Sequence, residues 1–202
     1  TMYEAKIGLV NKGLHLAEYL KKANSNIVTQ ALISNNVWLD YKFGYHRGFD
    51  NFYFFEKNKH PRKSSKQSWI KLLNSTVFSK GKRMAHFLLR RKPFPRFEEL
   101  LDFFFKNNKL KNFAKTFTWF HLMDLHLPYI PKNIYVNPFL SYKLWRFQIG
   151  TLPYPLSHNL LSVMKLLYSE ELKYLDRQLG RLVAYLENER LYDEVVLVIT
   201  SD

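Results

Sequence analysis

The chain has 202 residues, 47% of them hydrophobic, which is enough for one domain with its own core and excludes a disordered chain. Its lack of cysteine excludes disulfides, cysteine nucleophiles and cysteine metal ligands within these residues. The formal net charge of +14 favours anionic partners, and no apolar run approaches the ~18 residues of a transmembrane helix.

The positive charge is concentrated in one part of the chain. Between Lys57 and Lys115 there are 17 Lys or Arg residues against Glu98, Glu99 and Asp102. Such a surface attracts nucleic acid, an anionic membrane, or a sulfated or phosphorylated substrate. A solvated basic insertion in a protein from a lysine- and asparagine-rich proteome explains the charge equally well. No pattern typical of nucleic-acid-binding modules accompanies the charge, so nucleic acid is not the expected partner.

The first predicted unit is a helix followed by a strand. Residues 12–23 carry apolar side chains at helical spacing and predict an amphipathic helix, which the polar run 24–26 ends. The segment 27–33, IVTQALI, predicts a buried strand. Asn35 and Asn36 follow directly, at the carboxyl end of the strand, where open α/β sheets bind their ligands.

The next segments are predicted to lie outside the sheet. Residues 44–53 contain two glycines and several aromatic residues, which favours an irregular loop. Residues 60–112 are predicted to form a basic helical insertion at one side of a single domain that spans 1–202. Within this insertion we expect helices at 68–77, 84–89 and 97–105.

Another strand and a rigid turn come after the insertion. Residues 117–123 are apolar and aromatic and predict a buried strand, and Pro128 fixes the direction of the loop after it. His126 comes just past the predicted strand, close to Asp124. Because a histidine titrates near neutral pH, His126 can donate to a substrate oxygen or a leaving group. A lone histidine is usually structural, so the catalytic interpretation depends on its position at the same sheet edge as other polar residues.

The last third predicts a covering segment, a long helix and a final strand. Residues 135–155 are rich in proline and aromatic residues and favour an irregular segment. Residues 166–188 predict a sheet-covering helix, because an apolar stripe repeats at steps of four and three: Tyr168, Leu172, Leu175, Leu179, Leu182 and Leu186. The run 195–199 predicts a strand buried on both faces. Asp202 then follows at its carboxyl end, where it is a candidate ligand for a divalent metal. Capping of a following helix is the alternative use of this aspartate.

The alternation of strands and helices predicts an α/β fold with a mainly parallel sheet sandwiched by helices. Three segments of the chain, in order, resemble sulfatases of the alkaline phosphatase superfamily. The first contains GYHRGFDNF, the second contains DLHLPY and the third ends in ITSD; they lie at 16–55, 117–131 and 167–202. Together they cover roughly half of the chain, and the basic insertion has no counterpart.

The resemblance implies a role for each candidate residue. Asp202 falls on a metal-ligand aspartate, and the implied metal is Ca²⁺, with Mg²⁺, Mn²⁺ or Zn²⁺ as alternatives. His126 falls on the histidine that contacts the sulfate of the ester. Asn35 or Asn36 falls near the Lys-x-His pair that binds sulfate in many sulfatases, and this chain lacks that pair. Either asparagine can still donate a hydrogen bond to an oxyanion. We expect Asn35, His126 and Asp202 to converge at one edge of the sheet.

The family nucleophile, a Cys or Ser in C/S-x-P-x-R, does not occur in these residues, nor does the aspartate pair expected upstream of it. We therefore expect an internal piece of a longer sulfatase-like protein that is inactive alone. The predicted function is metal-dependent hydrolysis of a sulfate ester, the substrate being an anionic small molecule or glycan. A phosphoric ester hydrolase or phosphoglycerol-type transferase of the same superfamily is the first alternative, and a non-catalytic domain that binds polyanions or nucleic acid is the second. Localisation stays open, with the cytoplasm slightly favoured.

Overall fold

The computed structural model describes residues 15–56, 61–63, 92–107, 115–148 and 157–201. Asp202, the predicted helices at 68–77 and 84–89, and the start of the first predicted helix lie outside these ranges. Among the helices that the ranges contain, none is both long and apolar enough to cross a membrane.

The predicted strands at 27–33 and 117–123 and the predicted helices at 97–105 and 166–188 are present with shifted bounds. The strands are β1 (Val28–Ser34), β2 (Asn51–Phe55), β3 (Arg62–Lys63) and β4 (Thr116–His121). The helices are α1 (Leu16–Ala23), α2 (Phe97–Asn107), α3 (Pro138–Gln148) and α4 (His158–Asn188). Single 3-10 turns occur at Val37–Leu39, Tyr41–Phe43 and Tyr192–Glu194.

The sheet is mainly parallel, and β1 lies inside it. The strand order is β3-β2-β1-β4, with β1 parallel to both β2 and β4 and only the short β3 antiparallel. Four consecutive residues of β1, Ala31–Ser34, are buried, which means that both faces of the strand are covered. The predicted α/β class with a mainly parallel sheet is therefore confirmed.

Helices cover one face of the sheet, and loop aromatics cover the other. On the first face, Leu32 packs in a cluster with α2 and α4 that contains Phe55, Phe97, Leu100, Leu101, Phe104, Leu182 and Leu186. On the second face, Ala31 and Ile33 pack with Leu39 and Phe52, and Phe49 and Trp119 lie against them. The alternation along β1 sends successive side chains to opposite faces, as a strand requires.

The buried strand predicted at 195–199 is not present. These residues are extended, but they belong to no strand of the sheet and are exposed, Val196 by 90% and Val198 by 76%. A β-branched apolar run has the propensity for a strand, but a strand forms only where a neighbouring strand supplies hydrogen-bond partners. The described ranges contain no such neighbour for this segment, and propensity alone does not form the strand.

Two segments predicted as irregular contain regular elements. The end of the predicted loop 44–53 is the start of β2, and the predicted covering segment 135–155 contains α3. Asp50 fixes the start of β2, because its Oδ2 accepts hydrogen bonds from the Thr29 N–H at 2.9 Å and from Thr29 Oγ1 at 3.0 Å. These long-range contacts outweigh the preference of the glycine- and aromatic-rich segment for an irregular loop. The periodicity of the sequence does not predict such contacts.

The C-terminal part of the predicted insertion belongs to the core. Phe97, Leu100 and Leu101 of α2 are at most 1% exposed and pack on the sheet. Two of the basic residues in 92–107, Lys92 and Arg96, are buried, whereas Lys106 is exposed. Residues 64–91, which carry much of the charge of the insertion, lie outside the described ranges, so the insertion itself stays a prediction.

Helix α4 begins earlier than predicted and buries a different face over its first half. Its predicted apolar stripe is correct toward the C-terminus, where Leu182 and Leu186 are buried, but Tyr168 and Leu172 are 39% and 47% exposed. The buried positions there include Glu171, which is 0% exposed. An apolar pattern misses this face because a buried carboxylate with cationic partners looks, in sequence, like a surface residue.

Candidate functional site

The carboxyl ends of the parallel strands meet at one edge of the sheet. Ile33 of β1 pairs with His121 of β4, so the two strands end side by side. Asn35 follows β1 with a φ of 30°, in the left-handed region that asparagine tolerates better than most residues. Its main-chain N–H donates to the Phe55 carbonyl oxygen at 3.0 Å, which ties the same turn to the end of β2.

Asn36 connects the ends of β1 and β4 through its side chain. Its Oδ1 accepts from the Trp38 N–H at 3.1 Å, so its Nδ2 is the atom that lies 3.0 Å from Nε2 of His121. Because an amide nitrogen only donates, neutral His121 accepts with Nε2 and carries its proton on Nδ1. The second N–H of the Asn36 amide is then a donor that can serve an anion at this edge.

His126 is exposed and lies in the loop of residues 124–130, the His126 loop. Its Nδ1 lies 2.7 Å from the Leu127 carbonyl oxygen. A carbonyl oxygen only accepts, so Nδ1 carries the proton and Nε2 is the nitrogen that can contact a substrate. The ring packs edge-on against Phe94 with centroids 5.5 Å apart, and the main-chain N–H of His126 donates to the Met123 carbonyl at 3.2 Å.

Residues 92–97 bring the end of β1 and the His126 loop together. Ser34 Oγ donates a hydrogen bond to the Pro95 carbonyl oxygen at 2.7 Å, and both residues are fully buried. Two residues further on, the Phe97 N–H donates to Oδ2 of Asp124 at 3.1 Å. Since Phe94 also packs on His126, a single short segment contacts both sides of the candidate site.

Four charged residues under this loop are buried, and we call them the buried ionic cluster. They are Lys92, Arg96, Asp124 and Glu171, with exposed fractions of 4%, 6%, 2% and 0%. Arg96 forms a two-pronged pair with Glu171, at 3.1 Å from Nη1 and 3.3 Å from Nη2. Charges are rarely buried without partners, and here Glu171 pairs with both Lys92 and Arg96.

Burial shifts the titration of two members of the cluster. The pKa of Lys92 falls to about 8 because burial disfavours its charged form, although the Glu171 carboxylate favours that form. Burial raises the pKa of Asp124 to about 6, against the opposing effect of the Lys92 and Arg96 charges. Among the residues that the structure describes, the second carboxyl oxygen of Asp124, Oδ1, is buried without a hydrogen-bond partner, in keeping with a raised pKa.

Metal binding is not explained by the residues that the structure describes. Within these ranges, no three histidine or carboxylate side chains lie close enough together to hold a metal ion. Asp202, the metal ligand implied by the resemblance, lies outside them. The described histidine and carboxylate side chains therefore do not form a metal site by themselves, and Asp202 stays a predicted ligand.

The fold and this sheet edge define an α/β protein with polar and histidine side chains at the carboxyl ends of parallel strands. Among known families, the model described as Sulfatase matches residues 3–202. The chain therefore belongs to the sulfatase family, in a superfamily of hydrolases that generally use divalent metals, and the resemblance found in the sequence is confirmed. The searches found no matching curated protein and no matching solved structure.

Sequence reasoning found part of this arrangement. Asn35, Asn36 and His126 lie at the predicted edge of the sheet, but their predicted roles are not tested by their positions. His121 was missed because it falls within the predicted strand 117–123, whereas β4 ends at this residue. Lys92 was missed because it was one of many basic residues, and only its burial distinguishes it from them.

Proposed function

We propose that this protein hydrolyses a sulfate ester, with His126 as proton donor and Asn36 as a donor to the sulfate. The observation that carries the proposal is an exposed histidine at the carboxyl edge of a parallel sheet, in a chain that matches the Sulfatase family over residues 3–202. The substrate is an anionic small molecule or glycan. The net charge of +14 supports this choice, because a positive field concentrates anions near the surface.

The chemistry depends on where negative charge develops. When a sulfate ester is cleaved, charge appears on the leaving oxygen, and an acid that protonates this oxygen stabilises the transition state. In its cationic form His126 has a proton on Nε2 for this purpose, while Nδ1–H remains bonded to the Leu127 carbonyl. The free N–H of Asn36 supplies a donor for a nonbridging oxygen.

The nucleophile is proposed to come from outside these 202 residues, because they contain no C/S-x-P-x-R sequence. Asp202 is proposed as one ligand of the divalent metal, with Ca²⁺ implied by the family resemblance. When bound, such an ion polarises the nonbridging oxygens of the ester. The isolated 202-residue chain is accordingly expected to have little or no turnover.

Substitution of His126 in the intact protein tests the proposal. We expect His126→Ala to lower kcat on 4-nitrophenyl sulfate by ~10²–10⁴-fold, the usual contribution of a general acid. His158→Ala is the matched control, because His158 is also exposed but begins α4 rather than the site, and it should change kcat less than about twofold.

The same assay separates the alternatives. Retention of full turnover by His126→Ala would refute the role of this histidine. Cleavage of phosphate mono- or diesters by the wild type with no cleavage of sulfate esters would favour a phosphoric ester hydrolase of the same superfamily. Salt-dependent polyanion binding without any ester cleavage would favour the non-catalytic alternative, for which Lys80, Lys82, Arg83, Arg90 and Arg91 are the predicted contacts.

A further inference from the structure

We propose that Lys92 is a positioning residue for His126, acting through the main chain of the His126 loop. Lys92 lies outside the three segments that resemble sulfatases, inside the basic stretch between Lys57 and Lys115. The inference deepens the proposed function and rests on it for the role of His126. The position of Lys92 in a run of basic residues does not by itself indicate this role.

The contacts of the ammonium group show how Lys92 acts. Its Nζ donates to two main-chain carbonyl oxygens of the loop, those of Asp124 and of His126, the latter at 3.2 Å. The same Nζ lies 3.4 Å from Oε1 of Glu171 on α4. One buried cation therefore fixes the carbonyl of the candidate acid itself and the carbonyl two residues before it.

The other end of the loop is held by the same cluster. Ile130 is bonded at both of its main-chain polar groups: its N–H donates to Oε1 of Glu171 at 2.9 Å, and its carbonyl accepts from Nη2 of Arg96 at 2.7 Å. The loop is thus anchored at 124–126 by Lys92 and at 130 by Arg96 and Glu171. Glu171 contacts both cations and joins the two anchors.

Hydrogen bonds from a cation fix a carbonyl orientation more strictly than apolar packing does. Each carbonyl must point at Nζ to be satisfied, and an unsatisfied buried carbonyl costs free energy. The orientation of the His126 main chain determines where its ring lies. The ring also packs against Phe94, which comes two residues after Lys92. Loss of the ammonium should therefore leave the imidazole present but misplaced, which lowers kcat far more than it raises KM.

The test compares Lys92→Met with Lys132→Met in the intact protein. Lys132 is the matched control, because it lies just beyond the same loop but pairs with Glu98 at the surface, with a side chain that is 57% exposed. Two properties are measured: amide hydrogen exchange of His126 and Ile130 relative to amides of β1, and kcat and KM on 4-nitrophenyl sulfate. A loss of overall stability alone would accelerate exchange throughout the core, including β1.

We expect Lys92→Met to accelerate exchange at His126 and Ile130 at least tenfold while β1 amides change less than twofold. We further expect kcat to fall at least tenfold with KM within threefold of the wild type, and Lys132→Met to match the wild type in both measurements. Equal acceleration in β1 and the loop, or unchanged exchange in the loop, would overturn the proposal.

A second variant covers the case in which Lys92→Met does not fold. Lys92→Arg keeps a buried cation beside Glu171, but its planar head cannot place one donor atom between the two carbonyls. It should fold and show at least fivefold faster exchange at His126 and Ile130 only; wild-type exchange there would overturn the proposal. If the wild type cleaves no sulfate ester, the proposed function fails, whereas the exchange measurements still decide whether Lys92 positions the loop.

Discussion

At the scale of single residues, Asp124 is a carboxylate that is only 2% exposed. One carboxyl oxygen accepts from the Phe97 N–H, and the other is buried with no partner in the described part of the chain. Burial raises its pKa to about 6, so it changes protonation in a pH range where ordinary aspartates are already ionised. Its position two residues before His126 makes this titration relevant to the site.

The raised pKa of Asp124 predicts a specific dependence of stability on pH. The folded state binds the proton more tightly than the unfolded state, so Asp124 stabilises the fold at pH values below about 4, and this contribution is lost as pH rises through about 6. The pKa difference, from 3.8 to about 6, corresponds to at most about 3 kcal/mol. Asp124→Asn removes the titrating group and should remove this part of the pH dependence.

Urea unfolding of the wild type and Asp124→Asn between pH 4 and pH 8 measures this contribution. We expect the free energy of unfolding of the wild type to fall relative to the variant across pH 4–6. Asp102→Asn serves as control, since Asp102 pairs with Arg181 at the surface and its side chain is 59% exposed. Parallel pH curves for the wild type and Asp124→Asn would contradict the raised pKa.

At the scale of elements, one side chain of α4 bonds to both the buried ionic cluster and the His126 loop. Glu171 pairs with Arg96 and Lys92 and accepts from the Ile130 N–H, all in buried positions. Its neighbour Glu170 instead pairs with Lys173 on the helix surface, at 2.6 Å. Two adjacent glutamates of one helix therefore differ in environment and offer an internal comparison.

Substitution of these two glutamates should have different effects. Glu171→Ala leaves two buried cations without their carboxylate and should cost about 3–5 kcal/mol of unfolding free energy. Glu170→Ala loses a surface ion pair and should cost less than about 1 kcal/mol. Thermal or urea unfolding measures both, and equal losses would show that the buried cluster does not attach α4 to the loop.

The elements also show what sequence patterns can and cannot predict. The run 27–33 predicted β1 within one residue, because five of its seven residues are apolar, as is common in a strand buried on both faces. The run 195–199 is entirely apolar and predicted a strand that is not present, because pairing depends on a neighbouring strand that the run does not specify. Glu171 and Lys92 gave no apolar signal at all, since their burial is balanced by charge partners distant in sequence.

At the scale of the whole molecule, the family match and the sheet edge support a single interpretation. The three resembling segments come together, since β1 and β4 pair and α4 packs on the same core. At the carboxyl edge of this sheet Asn36 contacts His121, and His126 lies in the loop that follows β4. The net charge of +14 requires that specific binding be distinguished from general attraction of anions to the surface.

The most direct measurement is a titration of the intact protein with inorganic sulfate, observed at the imidazole carbon and proton signals of its histidines. The chain has seven histidines, and we expect the signals of His126 and His121 to shift together and saturably while that of exposed His158 does not move. Absence of any shift at His126, or equal shifts at all seven histidines, would contradict a specific sulfate site at the carboxyl edge of the sheet.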